Sequence, residues 1–334
     1  MTQSQVTQSQ GQPTAASSPT TPPGERVHVA DAPARNLFER FAPAAALPFG
    51  QLARFDRPIG AWLLLMPCWW SLTLGEMANG AAYPNLWFAF LFMVGAFVMR
   101  GAGCTYNDLV DHDYDGRVAR TALRPLPSGR VTRRQAAIFM VGLCLIGLLV
   151  LVQFNTLTIW LAIASLGLVA LYPFMKRFTY WPQLILGLTF KWGALVGWTA
   201  ARGEVAWPAL ILYAGCVCWT IGYDTIYAHQ DKEDDLMLGL KSTALRFGAK
   251  TRAWVGAFYI VAWSAWTVAA ALSGAHLIAF LGLALAACHM AWQVATLDTE
   301  DGDNCLIRFK SNRDLGFIVL GGYLADMGVT ALVA

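Results

Sequence analysis

The sequence predicts an all-α integral membrane protein, and three observations carry that expectation. Of the 334 residues, 56% are hydrophobic and only 13% charged, against about 25% charged in soluble domains, and mean hydropathy is +0.46. Apolar runs close to the roughly 20 residues that a helix needs to cross a bilayer recur along the chain. Lys and Arg concentrate in alternate loops, the bias that sets topology.

Residues 1 to 45 precede the first run and are rich in Gln, Ser, Thr, Pro and Ala. Such a composition cannot bury enough apolar surface to fold, which predicts a disordered cytoplasmic tail ahead of a transmembrane domain at 46–334. Nine apolar runs follow, at about 59–77, 84–104, 135–153, 156–174, 182–201, 206–226, 253–273, 276–297 and 315–333. The tail and the loops after the second, fourth, sixth and eighth runs hold 21 of the 24 Lys and Arg. Arg100 and Lys191 lie inside runs, and only Arg202 falls in an opposite loop. The N-terminus is therefore expected in the cytoplasm and, with nine spans, the C-terminus in the periplasm.

The tail has no apolar signal core, and Glu25, Asp31 and Glu39 balance its few Arg, which argues against both a secretory signal and a mitochondrial transit peptide. The expected location is a bacterial cell inner membrane. A net charge of +3 that comes from loop bias suits anionic lipid headgroups and anionic ligands, and no nucleic-acid motif is present. The seven Cys contain no CxxC pair, which excludes a zinc site of that spacing and argues against a disulfide framework.

Two basic-side loops concentrate acid, holding nine of the 21 Asp and Glu. The first begins NDLVDHDYDG, 107–116, and its DHDYDG matches the start of an EF-hand loop. Calcium fails there, because the ninth and twelfth positions, which need oxygen ligands, are Ala119 and Ala122. If the second helix continues two turns past Cys104, then Asn107, Asp111 and Asp115 share a face with Asp108 beside them. In the second loop, DTIYAHQDKEDD at 224–235, a continuous helix puts Asp224, Tyr227, Asp231 and Asp235 on one face. Like charges about 4 Å apart repel by roughly 4 kcal/mol at an effective dielectric near 20, so such clusters need cations. Oxygen-only donors with open positions suit Mg²⁺ shared with substrate phosphates. The expectation is a Mg²⁺ and diphosphate site at one membrane surface.

The spaced motifs NDxxDxxxD (Asn107, Asp108, Asp111, Asp115) and DxxYxxxD (Asp224, Tyr227, Asp231), with nine helices, resemble the UbiA superfamily of intramembrane aromatic prenyltransferases. RFDRPIGAWLLLMP (54–67), RTALRPLPSGR (120–130), LYPFMKR (171–177) and GLKSTALRFG (239–248) are similar to segments of its 4-hydroxybenzoate polyprenyltransferases, a family of ubiquinone biosynthesis. The resemblance covers about 50 to 325 and implies a UbiA-type bundle that transfers a polyprenyl group from polyprenyl diphosphate to the 3-position of 4-hydroxybenzoate.

On that basis Asn107, Asp108, Asp111 and Asp115 are candidates for one metal cluster and Asp231 and Asp235 for the other. Asp111, Asp115, Asp231 and Asp235 carry the catalytic expectation, with Asp224 and Tyr227 in support. Lys176 and Arg177 are candidates for the diphosphate, and Arg54 and Arg57 for the aromatic carboxylate through bidentate pairing. Arg117, Arg120 and Arg124 belong to a loop that is either a rigid turn or a lid over the diphosphate. Lys191 sits mid-run, where a charge is functional by default. The ring-proton base is not identified. Two alternatives stay open: another acceptor (homogentisate, naphthoate, haem or chlorophyllide), and a divalent-cation transporter, which the near absence of acids at the helix centres disfavours.

Overall fold

The computed structural model describes residues 36–112 and 121–333. Among them there is no strand. Within the segment expected to be unstructured, α1 (Leu37–Phe41) forms because the Asn36 side chain accepts from the Glu39 N–H and caps it, and α2 (Leu47–Leu52) follows.

The first expected run is α3 (Ile59–Ala78) and the second is α4 (Leu86–Val110), capped by Asn85 and longer than expected by the turns that carry Asn107. The third and fourth runs are α5 (Arg133–Leu151), opened by a Thr132/Gln135 capping box, and α6 (Thr156–Leu171), capped by Asn155. A 3-10 turn at Tyr172–Phe174 leads to a single turn, α7 (Met175–Phe178). The fifth run is broken into α8 (Pro182–Phe190) and α9 (Gly193–Arg202) at Lys191 and Trp192. The sixth, α10 (Trp207–Ala228), passes through a 3-10 turn at His229–Asp231 into α11 (Lys232–Met237). Then come α12 (Thr243–Phe247), α13 (Thr251–Leu272), α14 (Leu277–Ala295), α15 (Gly302–Lys310) and α16 (Asn312–Val333).

Eight helices among the described residues are long and apolar enough to cross a membrane. α3 (Ile59–Ala78) is not among them. It instead sits at the middle of the bundle, packed on α4, α9 and α16. α10 packs most extensively on α13, and α14 on α16. The last pair approaches closely because both sides are glycine: a Cβ on Gly282 would stand 2.7 Å from the Gly322 Cα. The central core is aromatic, with Trp70 stacked on Trp219 at 5.3 Å and Trp266 edge-on to Trp70 at 4.9 Å.

Two buried polar groups are satisfied by distant partners. Pro67 has no N–H to offer the Leu63 carbonyl one turn earlier in α3, and the Lys191 Nζ donates to that oxygen at 2.6 Å. The same ammonium lies 4.3 Å from the Trp219 ring centroid. His276, at the N-cap of α14, makes no side-chain cap, and Asp326 of α16 accepts from the N–H groups of His276, Ile278 and Ala279 at 2.8, 3.2 and 3.2 Å.

Candidate active site

The end of α4, the turn before α7, α7 itself and the segment entering α11 converge on one cavity of about 200 Å³. Asn107 and Asp111 reach it from α4, and Asp231, Asp234 and Asp235 from the second acidic segment. Arg124, Lys176 and Arg177 bring positive charge to the same walls. Consecutive residues of α7 pair with opposite clusters: Arg177 Nη2 lies 3.0 Å from Asp111 Oδ1, and Lys176 Nζ lies 3.3 Å from Asp235 Oδ1. The two acidic motifs, 120 residues apart in sequence, therefore face one space.

Local folding explains each placement. Because α4 continues to Val110, Asn107 and Asp111 stand one turn apart, and Asn107 Nδ2 donates to Asp111 Oδ2 at 3.1 Å. Burial pushes the Asp111 carboxyl above its ordinary value, opposed by the Arg177 hydrogen bond. The second motif is not one helix. α10 stops at Ala228, and the 3-10 turn breaks the face expected for Asp224, Tyr227, Asp231 and Asp235. Asp231 and Asp235 line the cavity, whereas Asp224 and Tyr227 do not. The Tyr227 ring instead packs 4.5 Å from that of Phe309. Backbone bonds from Leu240 N to Asp235 O and from Lys241 N to Lys176 O, 2.8 and 2.9 Å, tie the following loop to α7 and seat Lys176 against Asp235.

Asp108 turns the other way. Its carboxylate is 1% exposed and accepts from Arg54 Nη2 at 2.8 and 3.0 Å and from Arg124 Nη1 at 3.3 Å. Arg57 Nε lies 3.6 Å from Asp56. Lys191 is wholly buried and away from the cavity lining. Asp115, Arg117 and Arg120 lie outside the described residues. Sequence reasoning missed three polar lining residues, Asp234, Thr121 and Tyr172, and, outside the lining, Arg100. The Arg100 guanidinium sits 4.8 Å over Phe190, its Nε has no hydrogen-bond partner among the described residues, and it acts electrostatically on Tyr172 and Asp224. Its signal was present: a lone Arg two turns before Asn107 in an apolar run.

The polar groups that line this cavity are carboxylates, an amide, two hydroxyls and three cations, beside Pro173, Leu238 and Leu240. Among the described residues no three Asp, Glu, His or Cys are grouped to hold a metal by themselves. The carboxylates that line the cavity fit Mg²⁺, a hard cation that takes oxygen ligands, keeps several waters and is completed by substrate phosphate.

A model of the UbiA prenyltransferase family matches residues 64–320. The chain belongs to that family. This UbiA member is 46% identical over 276 residues to the 4-hydroxybenzoate polyprenyltransferase, mitochondrial, of Aedes aegypti; the match covers 82% of the chain but 62% of that relative's length. Proteins of the same name from Homo sapiens and Arabidopsis thaliana are 46% and 45% identical, with 84% of the chain covered and 76% and 69% of each relative. Its fold is that of a UbiA homologue from Aeropyrum pernix K1, with a TM-score of 0.66, 26% identity, and coverage of 79% of this chain and 98% of that one. A UbiA homologue from Archaeoglobus fulgidus solved bound to GPP and Mg²⁺ has a TM-score of 0.62 at 17% identity, covering 86% and 100%.

These relatives correct one expectation. Their mitochondrial names point to a mitochondrial membrane and overturn the bacterial inner membrane. Acid balance in the first 45 residues is a weak guide to targeting, and the apolar spans that dominate the sequence suit either bilayer equally.

Proposed function

We propose that this UbiA-family chain transfers a polyprenyl group from polyprenyl diphosphate to the 3-position of 4-hydroxybenzoate. One observation carries the reading: Asn107, Asp111, Asp231, Asp234 and Asp235 share a cavity with Arg124, Lys176 and Arg177. Acids and bases together suit a metal-bound diphosphate, whereas acids alone suit a cation path. The names of the relatives favour 4-hydroxybenzoate over the other acceptors.

Lys176, Arg177 and Arg124 hold diphosphate oxygens and stabilise the charge that grows on them as the allylic C–O bond breaks. Asn107, Asp111, Asp231 and Asp235, with Asp234, would hold Mg²⁺, which when bound supplies Lewis-acid stabilisation of that leaving group. The apolar bundle below keeps water from the allylic cation until the ring carbon ortho to the phenol attacks it, and loss of that carbon's proton then restores the aromatic ring. Arg100 takes the acceptor carboxylate, the role expected of Arg54 and Arg57, which lie against Asp108 and Asp56. In the membrane, α3 makes a ninth span, the N-terminus lies on the side of the basic loops and the C-terminus on the other. Residues 46–334 act as one transferase domain.

The test is product formation. Purified protein with a polyprenyl diphosphate, 4-hydroxybenzoate and Mg²⁺ should yield the 3-prenylated acid. EDTA, Asp111→Ala and Asp231→Ala should each abolish it. Turnover of a different aromatic but not 4-hydroxybenzoate would overturn the acceptor.

A further inference from the structure

Asp108 is adjacent in sequence to a cavity-lining residue, Asn107, yet is not itself part of the cavity lining. It is held by two arginines from different parts of the chain. Arg54 comes from the turn before α3 and donates through Nη2 to both carboxylate oxygens, at 2.8 and 3.0 Å. Arg124 comes from the loop before α5 and donates through Nη1 to Oδ1 at 3.3 Å. Of the three, only Arg124 lines the cavity.

Backbone geometry shows how strongly this arrangement is imposed. Arg54 is the one non-glycine residue with positive φ among the described residues, at 62°, a left-handed conformation that a long side chain adopts only when its surroundings over-determine it. Its Nη1 also donates to the Gln51 carbonyl at 2.9 Å, closing the turn on itself. With α4 packed in the bundle, Asp108 is an anchor whose carboxylate is held in orientation by Arg54. The third partner is Arg124, in the loop TALRPLPSGR (121–130), whose Arg124 carbonyl accepts from the Ser128 N–H and Oγ at 3.0 and 2.7 Å.

We propose that Asp108 is a positioning residue and not a metal ligand: with Arg54 it fixes the Arg124 guanidinium at the cavity wall as a contact for the substrate diphosphate. This rests on the reading above that the cavity binds a diphosphate. It also divides the acidic motif by task, with Asn107 and Asp111 facing the ligand and Asp108 facing the scaffold.

The experiment is a double-mutant cycle on the full chain, read by direct binding of a non-reactive thio-diphosphate analogue of an allylic substrate in Mg²⁺ and by Mg²⁺ titration of turnover. Asp108→Asn and Arg124→Gln should each weaken analogue binding about tenfold, and the double variant should lose no more than Arg124→Gln alone. Half-saturating Mg²⁺ should stay within about twofold of wild type in Asp108→Asn while rising at least tenfold in Asp111→Asn. Additive losses in the double variant, or a Mg²⁺ shift in Asp108→Asn equal to that in Asp111→Asn, would overturn the proposal. If Asp108→Asn does not fold, Asp108→Glu, which keeps the charge and moves it, enters the same cycle with the same criteria. Wild type that fails to bind the analogue at all would instead sink the diphosphate reading, so the two failures are distinguishable.

Discussion

Lys191 stands in for the backbone N–H that Pro67 lacks, donating at 2.6 Å to the Leu63 carbonyl across the break between α8 and α9. A charge at that depth is explained by an acceptor that no backbone group of its own helix can satisfy. Lys191→Met should therefore destabilise the protein by about 1–3 kcal/mol through the unpaired carbonyl. Pro67→Ala restores the missing N–H and should recover part of that loss in the Lys191→Met background, while changing wild type little. Thermal unfolding in detergent of the four variants checks this, and equal effects of Pro67→Ala in both backgrounds would disprove the exchange.

Asp111 titrates in a buried setting that raises it, against the opposing hydrogen bond from Arg177. Metal binding needs the ionised carboxylate, so protons should compete with Mg²⁺ at a higher pH than for an exposed Asp, and affinity should fall as pH drops through the raised value. Arg177→Gln removes the opposing contact and should move this fall to higher pH still. Mg²⁺ binding followed across pH in both proteins checks the direction, and a shift to lower pH would contradict it.

Arg100 reaches the interior with a guanidinium nitrogen that has no partner among the described residues. As anchor of the acceptor carboxylate, its replacement in Arg100→Gln should raise KM for 4-hydroxybenzoate about tenfold or more and leave that for the polyprenyl diphosphate within about twofold. Steady-state kinetics in each substrate decide it, and a rise confined to the diphosphate would reassign Arg100 to the other substrate.

Asp326 caps α14 from α16 through three backbone N–H groups. Asp326→Ala should lower stability by about 1–2 kcal/mol without altering either KM, since the contact lies at the far end of the bundle from the acidic cavity. Unfolding and kinetics on the same preparation test both halves.

Much of this molecule was readable before folding. Burial in a bilayer depends on local hydropathy, so the apolar runs appear as helices at nearly the expected positions. Sites of helix breakage were less legible. The fifth run reads as continuous but divides at Lys191, where the ammonium is drawn to a carbonyl 128 residues away. The sixth was expected to continue through the second acidic motif, yet it gives way to a 3-10 turn after Ala228, and this brings Asp234 to the cavity and leaves Asp224 and Tyr227 outside its lining.

By itself, then, the sequence determined the membrane class, the concentration of Lys and Arg in alternate loops and the two acid-rich segments, because composition and helical period are properties of neighbours along the chain. Only the tertiary structure decided which acids face the cavity. Asp108 and Asp111 are equally acidic and three residues apart, but one faces Arg54, 54 positions away, and the other faces the cavity. A carboxylate's task is set by the cation that folding places beside it, and that partner is remote in sequence.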